Sequence, residues 1–209
     1  MPIRAELRVT ARGLKLLGKL SAGPTRARAV AQTAINSTLK RSKPKAVRAV
    51  RAQVALPRAY VDERMREIPA SRDKLEGRLG TPKRGLLLSR FEFTERVLTR
   101  RRKRTRKGKG KKGESYKARA GIRVKVKPSG GKKLMPGAFL IRLRRGKELG
   151  TDVGIAIRRR GAKGRSNYQV RYGPSLSQVY AGVKEDLAPG VKQEFERTFS
   201  FLLKREFNR

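Results

Sequence analysis

Catalysis needs side chains that exchange a proton near neutral pH, attack an electrophile or hold a metal, and this sequence is poor in all three. Histidine and cysteine are absent from its 209 residues. Nothing therefore titrates by default between about pH 5 and 8, and a thiolate metal site or disulfide framework is excluded. Carboxylates, serines, lysines and tyrosines remain. Asp62 and Glu63 stand beside Arg64 and Arg66, and Glu185 with Asp186 lies near the end of a helix-like segment. Both pairs read as surface charges balanced by neighbouring cations rather than as a general acid and base. The glycine patterns GKGKKG and SGGKK lack the spacing and strand-to-helix setting of a phosphate-binding loop. No EF-hand or zinc spacing occurs. The expectation is a protein without catalytic turnover, metal or cofactor.

The chemistry the sequence does offer is phosphate contact. Residues 99–113, TRRRKRTRKGKGKKG, hold ten cations and no acid: Arg100, Arg101, Arg102, Lys103, Arg104, Arg106, Lys107, Lys109, Lys111 and Lys112. A run this dense is expected to contact a polyanion by counterion release, without reading base sequence, in preference to the alternative of a solvated, disordered loop. Aromatic side chains are scarce, at seven Phe, five Tyr and no Trp, and no platform for stacking bases is visible.

Such an arm needs a scaffold, and the composition supplies one. The 56 Lys and Arg against 16 Asp and Glu leave a formal charge of +40. The apolar share of 37% rises, once the 21 glycines are added, into the usual ~45–50%. The excess charge has displaced neutral polar and acidic residues rather than the core. Self-repulsion at this charge calls for a polyanion or an acidic protein neighbour. No apolar run reaches the ~20 residues of a membrane span, and residues 1–17 do not resemble a signal peptide. A protein on the soluble side is expected, with no membrane partner.

The elements follow from periodicity and punctuation. Residues 24–42 read as a helix whose apolar positions are Ala27, Val30, Ala34 and Leu39. Pro44 is expected to start a second helix, with Val47, Val50 and Val54, because proline fits a first turn but not an interior. Pro57 opens a third, anchored by Tyr60 and Val61. After Met65 the texture turns to short apolar segments between glycines and prolines, which is strand-and-turn punctuation. In IRVKVK, Ile122, Val124 and Val126 face one way, and Arg123, Lys125 and Lys127 face the other. Past Tyr172 two helices are expected, broken at Pro189. The second carries Val191, Phe195, Phe199, Leu202 and Leu203 on one face and is expected to be a core or interface element, with Phe195, Phe199 and Leu202 buried. The order argues an α+β fold: N-terminal helices over 1–64, a mixed or antiparallel sheet over 65–173 and C-terminal helices over 174–209. We read these as one domain, its sheet interrupted by a basic arm at about 99–121.

Three stretches carry a family resemblance: AQTAINSTLKRSKPKAVRAVRAQVALPRAYVDERM, GRLGTPKRGLLLSRF, and GAFLIRL followed by GIAIRRRG and VRYGPSLSQVY. In this order they resemble the tailed-bacteriophage minor tail protein Z, or tail-completion, family over residues 28–188. The sharpest point is the turn Gly173-Pro174-Ser175, where glycine permits the bend, proline suits a first helical position and Ser175 is placed to accept from early amides. The arm departs from the family pattern in length and charge.

The resemblance implies a structural virion component at the top of the tail, near the head–tail junction or neck. Its partners would be other tail and neck proteins, in a symmetric ring or several copies, and double-stranded DNA. The host cytoplasm would be its place during assembly. On that reading the arm faces DNA. The strand face of Arg123, Lys125 and Lys127, and the run Arg158, Arg159 and Arg160, meet acidic neighbours. Composition alone would favour a ribosomal or nucleoid-type nucleic-acid binder, although no known nucleic-acid-binding module can be placed. A nuclease ranks third, because metal-assisted phosphate chemistry needs clustered carboxylates.

Overall fold

Alanine, valine, isoleucine and leucine recur from Ala27 to Val54 mostly at intervals of three and four, with small Ser42 on the buried face between Leu39 and Ala46, so one helix face is largely apolar. The computed structural model describes residues 6–10, 24–101, 115–143, 152–159 and 167–207, and it makes this stretch a single helix, α1 (Pro24–Gln53). The break expected at Pro44 does not occur. Pro44 removes the hydrogen bond to the Lys40 carbonyl, but both residues lie on the exposed face, where water can take the freed carbonyl. Ala31, Ala34, Ile35, Leu39, Ala46 and Val50 are buried on both sides of it. Packing along the whole face outweighs the local preference of proline. The C-terminal helix repeats the pattern. It runs unbroken from Leu176 to Phe207 through Pro189, with Pro189 and Glu185 both exposed. We label it α3.

The described chain divides into two compact units. The first comprises residues 1–85 and 174–209. Here α1 packs against α3, and α2 (Arg58–Arg64) packs against α1. An antiparallel sheet of β1 (Glu6–Thr10), β3 (Glu76–Gly80) and β2 (Arg66–Ile68), in that order, completes the unit. A Cβ on Gly77 would collide with Leu39 Cδ1 and lie 2.7 Å from Ile35 Cγ2, so α1 rests directly on the β3 backbone there. Polar residues of α1 fasten the preceding loop. Asn36 Nδ2 donates to the Ala70 carbonyl and the Ala70 amide donates back to Asn36 Oδ1, while Gln32 Nε2 also donates to that carbonyl. Tyr180 of α3 is wholly buried, and burial raises its phenol pKa. Its hydroxyl has no partner among the described residues.

The second unit is residues 86–173. It holds two three-stranded antiparallel sheets. One is β5 (Glu92–Arg101), β6 (Ser115–Lys125) and β7 (Lys133–Pro136); the other is β10 (Tyr168–Val170), β9 (Val153–Arg158) and β8 (Phe139–Arg142). Leu87, Leu88, Phe91, Ile122, Val124, Ile155 and Ala156 are buried. Two short strands, β4 (Gly85–Leu87) and β11 (Tyr172–Ser175), pair with each other. The α+β class expected from the sequence holds, with small separate sheets in place of one central sheet.

Candidate nucleic-acid and protein interfaces

The basic arm connects two paired strands. β5 and β6 are in register from Glu92↔Lys125 to Arg101↔Ser115, with a shift between Arg96 and Val97. At the shift Gly121 takes φ +139°, and a Cβ there would collide with the Met135 carbonyl oxygen. Only glycine accepts both constraints. The third strand β7 pairs with β6 up to Gly121, so beyond the bulge the hairpin continues as a two-stranded ribbon. Arg100 and Arg101 are its last β5 residues. Arg102, Lys103, Arg104, Arg106, Lys107, Lys109, Lys111 and Lys112 lie outside the described residues.

On β6, Ile122 and Val124 are buried while Arg123 is exposed, Lys125 half-buried and Lys127 exposed just past the strand. This face is less purely cationic than its sequence reads. Glu92 lies directly across from Lys125 and pairs with Lys132 at 2.6 Å. The Lys132 hydrogen bond and charge, with a smaller contribution from Lys125, hold the Glu92 carboxyl below its ordinary range. Lys132 also donates to Thr94 Oγ1, beside Arg123 in the register. Arg123 and Lys127 are thus the freer cations.

Arg158 and Arg159 are both exposed, at and just after the end of β9; Arg160 lies outside the described residues. Arg158 has company that the sequence did not disclose. Its guanidinium sits 5.6 Å from the Phe139 ring centroid, and Phe139 meets Tyr168 edge to face at 6.2 Å. Tyr168 is directly paired with Arg158 across β9–β10, and 37% of it is exposed. Arginine and aromatics grouped at a surface are the residue types that anchor protein interfaces. Phe and Tyr within GAFLIRL and NYQVRY were the available signal, but only the strand register brings them together.

At the turn, Gly173 lies where a Cβ would approach Phe91 Cε2 to 2.9 Å, and Pro174 belongs to β11 rather than to the first helical turn. Ser175 caps α3: its Oγ accepts from the Gln178 amide at 3.1 Å, and Gln178 Oε1 accepts from the Ser175 amide at 2.9 Å. This reciprocal box satisfies two helix-end donors. Among the described residues, no group of three or more acids is placed to hold a metal, and no helix is long and apolar enough to cross a membrane.

Comparison with known families bears on the chain as a whole rather than on these surfaces. The profile of the prophage minor tail protein Z family matches residues 13–209. The chain belongs to that family. Its role is accordingly that of a structural protein of the phage tail. No curated protein and no solved structure shows significant similarity to the chain.

Proposed function

We propose that this minor tail protein completes the top of the phage tail near the head–tail junction, with its basic arm toward the DNA path and its other cationic patches toward acidic tail or neck proteins. The supporting observation is the β5–β6 hairpin. Its register runs to Arg101↔Ser115, so the arm joins the ends of two paired strands instead of following a flexible terminus. Ten residues of paired strand span roughly 34 Å. A connection on such a ribbon suits insertion into a groove or channel. The arm's contacts are phosphate contacts, indifferent to base sequence.

The test is the salt dependence of DNA binding. Each phosphate contact releases about 0.9 counterion, so neutralising half of the arm's cations should flatten the slope of log affinity against log salt. Equal slopes for the variant and the parent would mean that the arm does not touch DNA.

A further inference from the structure

The first unit carries a concave site that none of these roles uses. A cleft of about 480 Å³ is lined by Glu63, Arg64, Arg66, Ile68, Gly80, Thr81 and Pro82. Arg64 ends α2 and Arg66 begins β2, so the sharp passage from helix to strand at Met65 brings both cations to one wall. Arg64 is held with its guanidinium 4.4 Å over the Tyr60 ring. Neither arginine has a carboxylate within ion-pair distance among the described residues, and Arg64 Nε and Thr81 Oγ1 are buried without partners. Gly80, paired with Arg66, leaves the cleft its depth: a Cβ there would meet nothing within 4 Å. Ile68, two residues from Arg66 and 44% exposed, supplies an apolar wall.

The cleft lies at a sheet edge. In the order β1-β3-β2, β2 has a strand on one side only among the described residues, and all three of its residues are exposed. A free edge accepts an extended segment by continuing the ladder. Successive side chains in that segment alternate faces, so residues two apart would fall beside Arg66 and Ile68. One site then asks for a carboxylate and the other for an apolar group.

We propose that this cleft binds an extended segment of a neighbouring protein in which an acidic and an apolar residue stand two positions apart. The carboxylate would sit against Arg64 and Arg66, and the apolar side chain against Ile68. A chain with 56 cations and 16 acids has few acids of its own to spare for the site. The apolar wall of Ile68 beside the two cations suits a protein side chain better than a phosphate backbone. This inference stands apart from the arm's DNA contact.

The experiment is an NMR titration of the full chain at near-physiological salt with the capped peptide Ser-Glu-Thr-Val-Thr. Controls are the same peptide with Gln for Glu, inorganic phosphate and a short DNA duplex. Saturable shifts at the Arg66, Glu67, Ile68 and Thr81 amides are expected. The Gln peptide and the Arg66→Gln variant should each weaken binding about tenfold, the loss of one charged hydrogen-bonded contact. Gly80→Val should abolish the shifts with an unchanged melting temperature, since its side chain enters open space. Absent shifts, equal binding of the Gln peptide, undiminished binding to Gly80→Val, or stronger perturbation of these amides by phosphate or duplex would overturn the proposal.

Discussion

Glu194 shows how a single acid matters in a chain this basic. On α3 it accepts a hydrogen bond from Arg41 Nη1 of α1 at 2.7 Å, with Lys45 Nζ 3.7 Å away, and so clasps two helices of the first unit. The Arg41 hydrogen bond, with the nearby Lys45 charge, lowers its pKa from the ordinary 4.5. Because the folded value is depressed, the clasp contributes its full stability above about pH 4.5 and loses it as pH falls through the folded value. Glu194→Gln should therefore melt earlier than the parent at neutral pH, with the gap closing in acid. Melting curves against pH would check this; a gap independent of pH would mean that the carboxylate charge is not what holds the helices. Both arms are partly exposed, and higher salt should shrink the effect. The sequence hid this pair because its partners are 153 residues apart.

At the scale of elements, the apolar periodicity of residues 24–53 and 176–207 was legible, and the prolines inside them were misleading. Of the two settings expected for the C-terminal stripe, core or interface, the chain by itself does not provide the core. Val191 is buried, but Phe195, Phe199, Leu202 and Leu203 are only half-buried, and Phe201 is 64% exposed. Phe195 and Phe199 stack on each other at 5.5 Å along the helix instead of entering the core. A fully enclosed phenylalanine costs roughly 3–5 kcal/mol when cut to alanine. Phe199→Ala should cost clearly less, on the order of 1–2 kcal/mol, in proportion to its smaller buried area. Chemical denaturation would measure it, and a loss in the full-burial range would show that the stripe is covered in solution.

At the scale of the molecule the question is where +40 of charge goes. Duplex DNA presents one charge per ~1.7 Å, so a ring about 40 Å deep encloses only about two dozen phosphates. If several copies surround the duplex, most of their cations must find something else. Our reading assigns Arg123, Lys127 and the Arg158 cluster with Phe139 and Tyr168 to acidic protein surfaces, where complementarity sets partner and orientation. Arg123→Ala, Arg158→Ala and Tyr168→Ala should then lower incorporation into tails while leaving the salt slope of DNA binding unchanged. The arm variants should do the reverse on the slope. Slopes that fall equally for arm and patch variants, measured beside the amount of protein in purified particles, would refute the division of roles.

What the sequence determined by itself were the properties set by residue type and short spacing. The lack of histidine and cysteine, the charge, the density of the arm, the apolar faces of the helices and the alternation of Ile122 to Lys127 all belong here. Order along the chain also sufficed for the family resemblance. Tertiary structure decided what depends on partners far apart in sequence. It alone joined Arg158 to Phe139 and Tyr168 through strand register, set Glu92 opposite Lys125, and opened the cleft at Arg64, Arg66 and Gly80. It also carried two helices through their prolines, because burial summed over some thirty residues outweighs one hydrogen bond lost on the exposed face. Local rules see only the proline, whereas the buried face on either side of it exists only after packing.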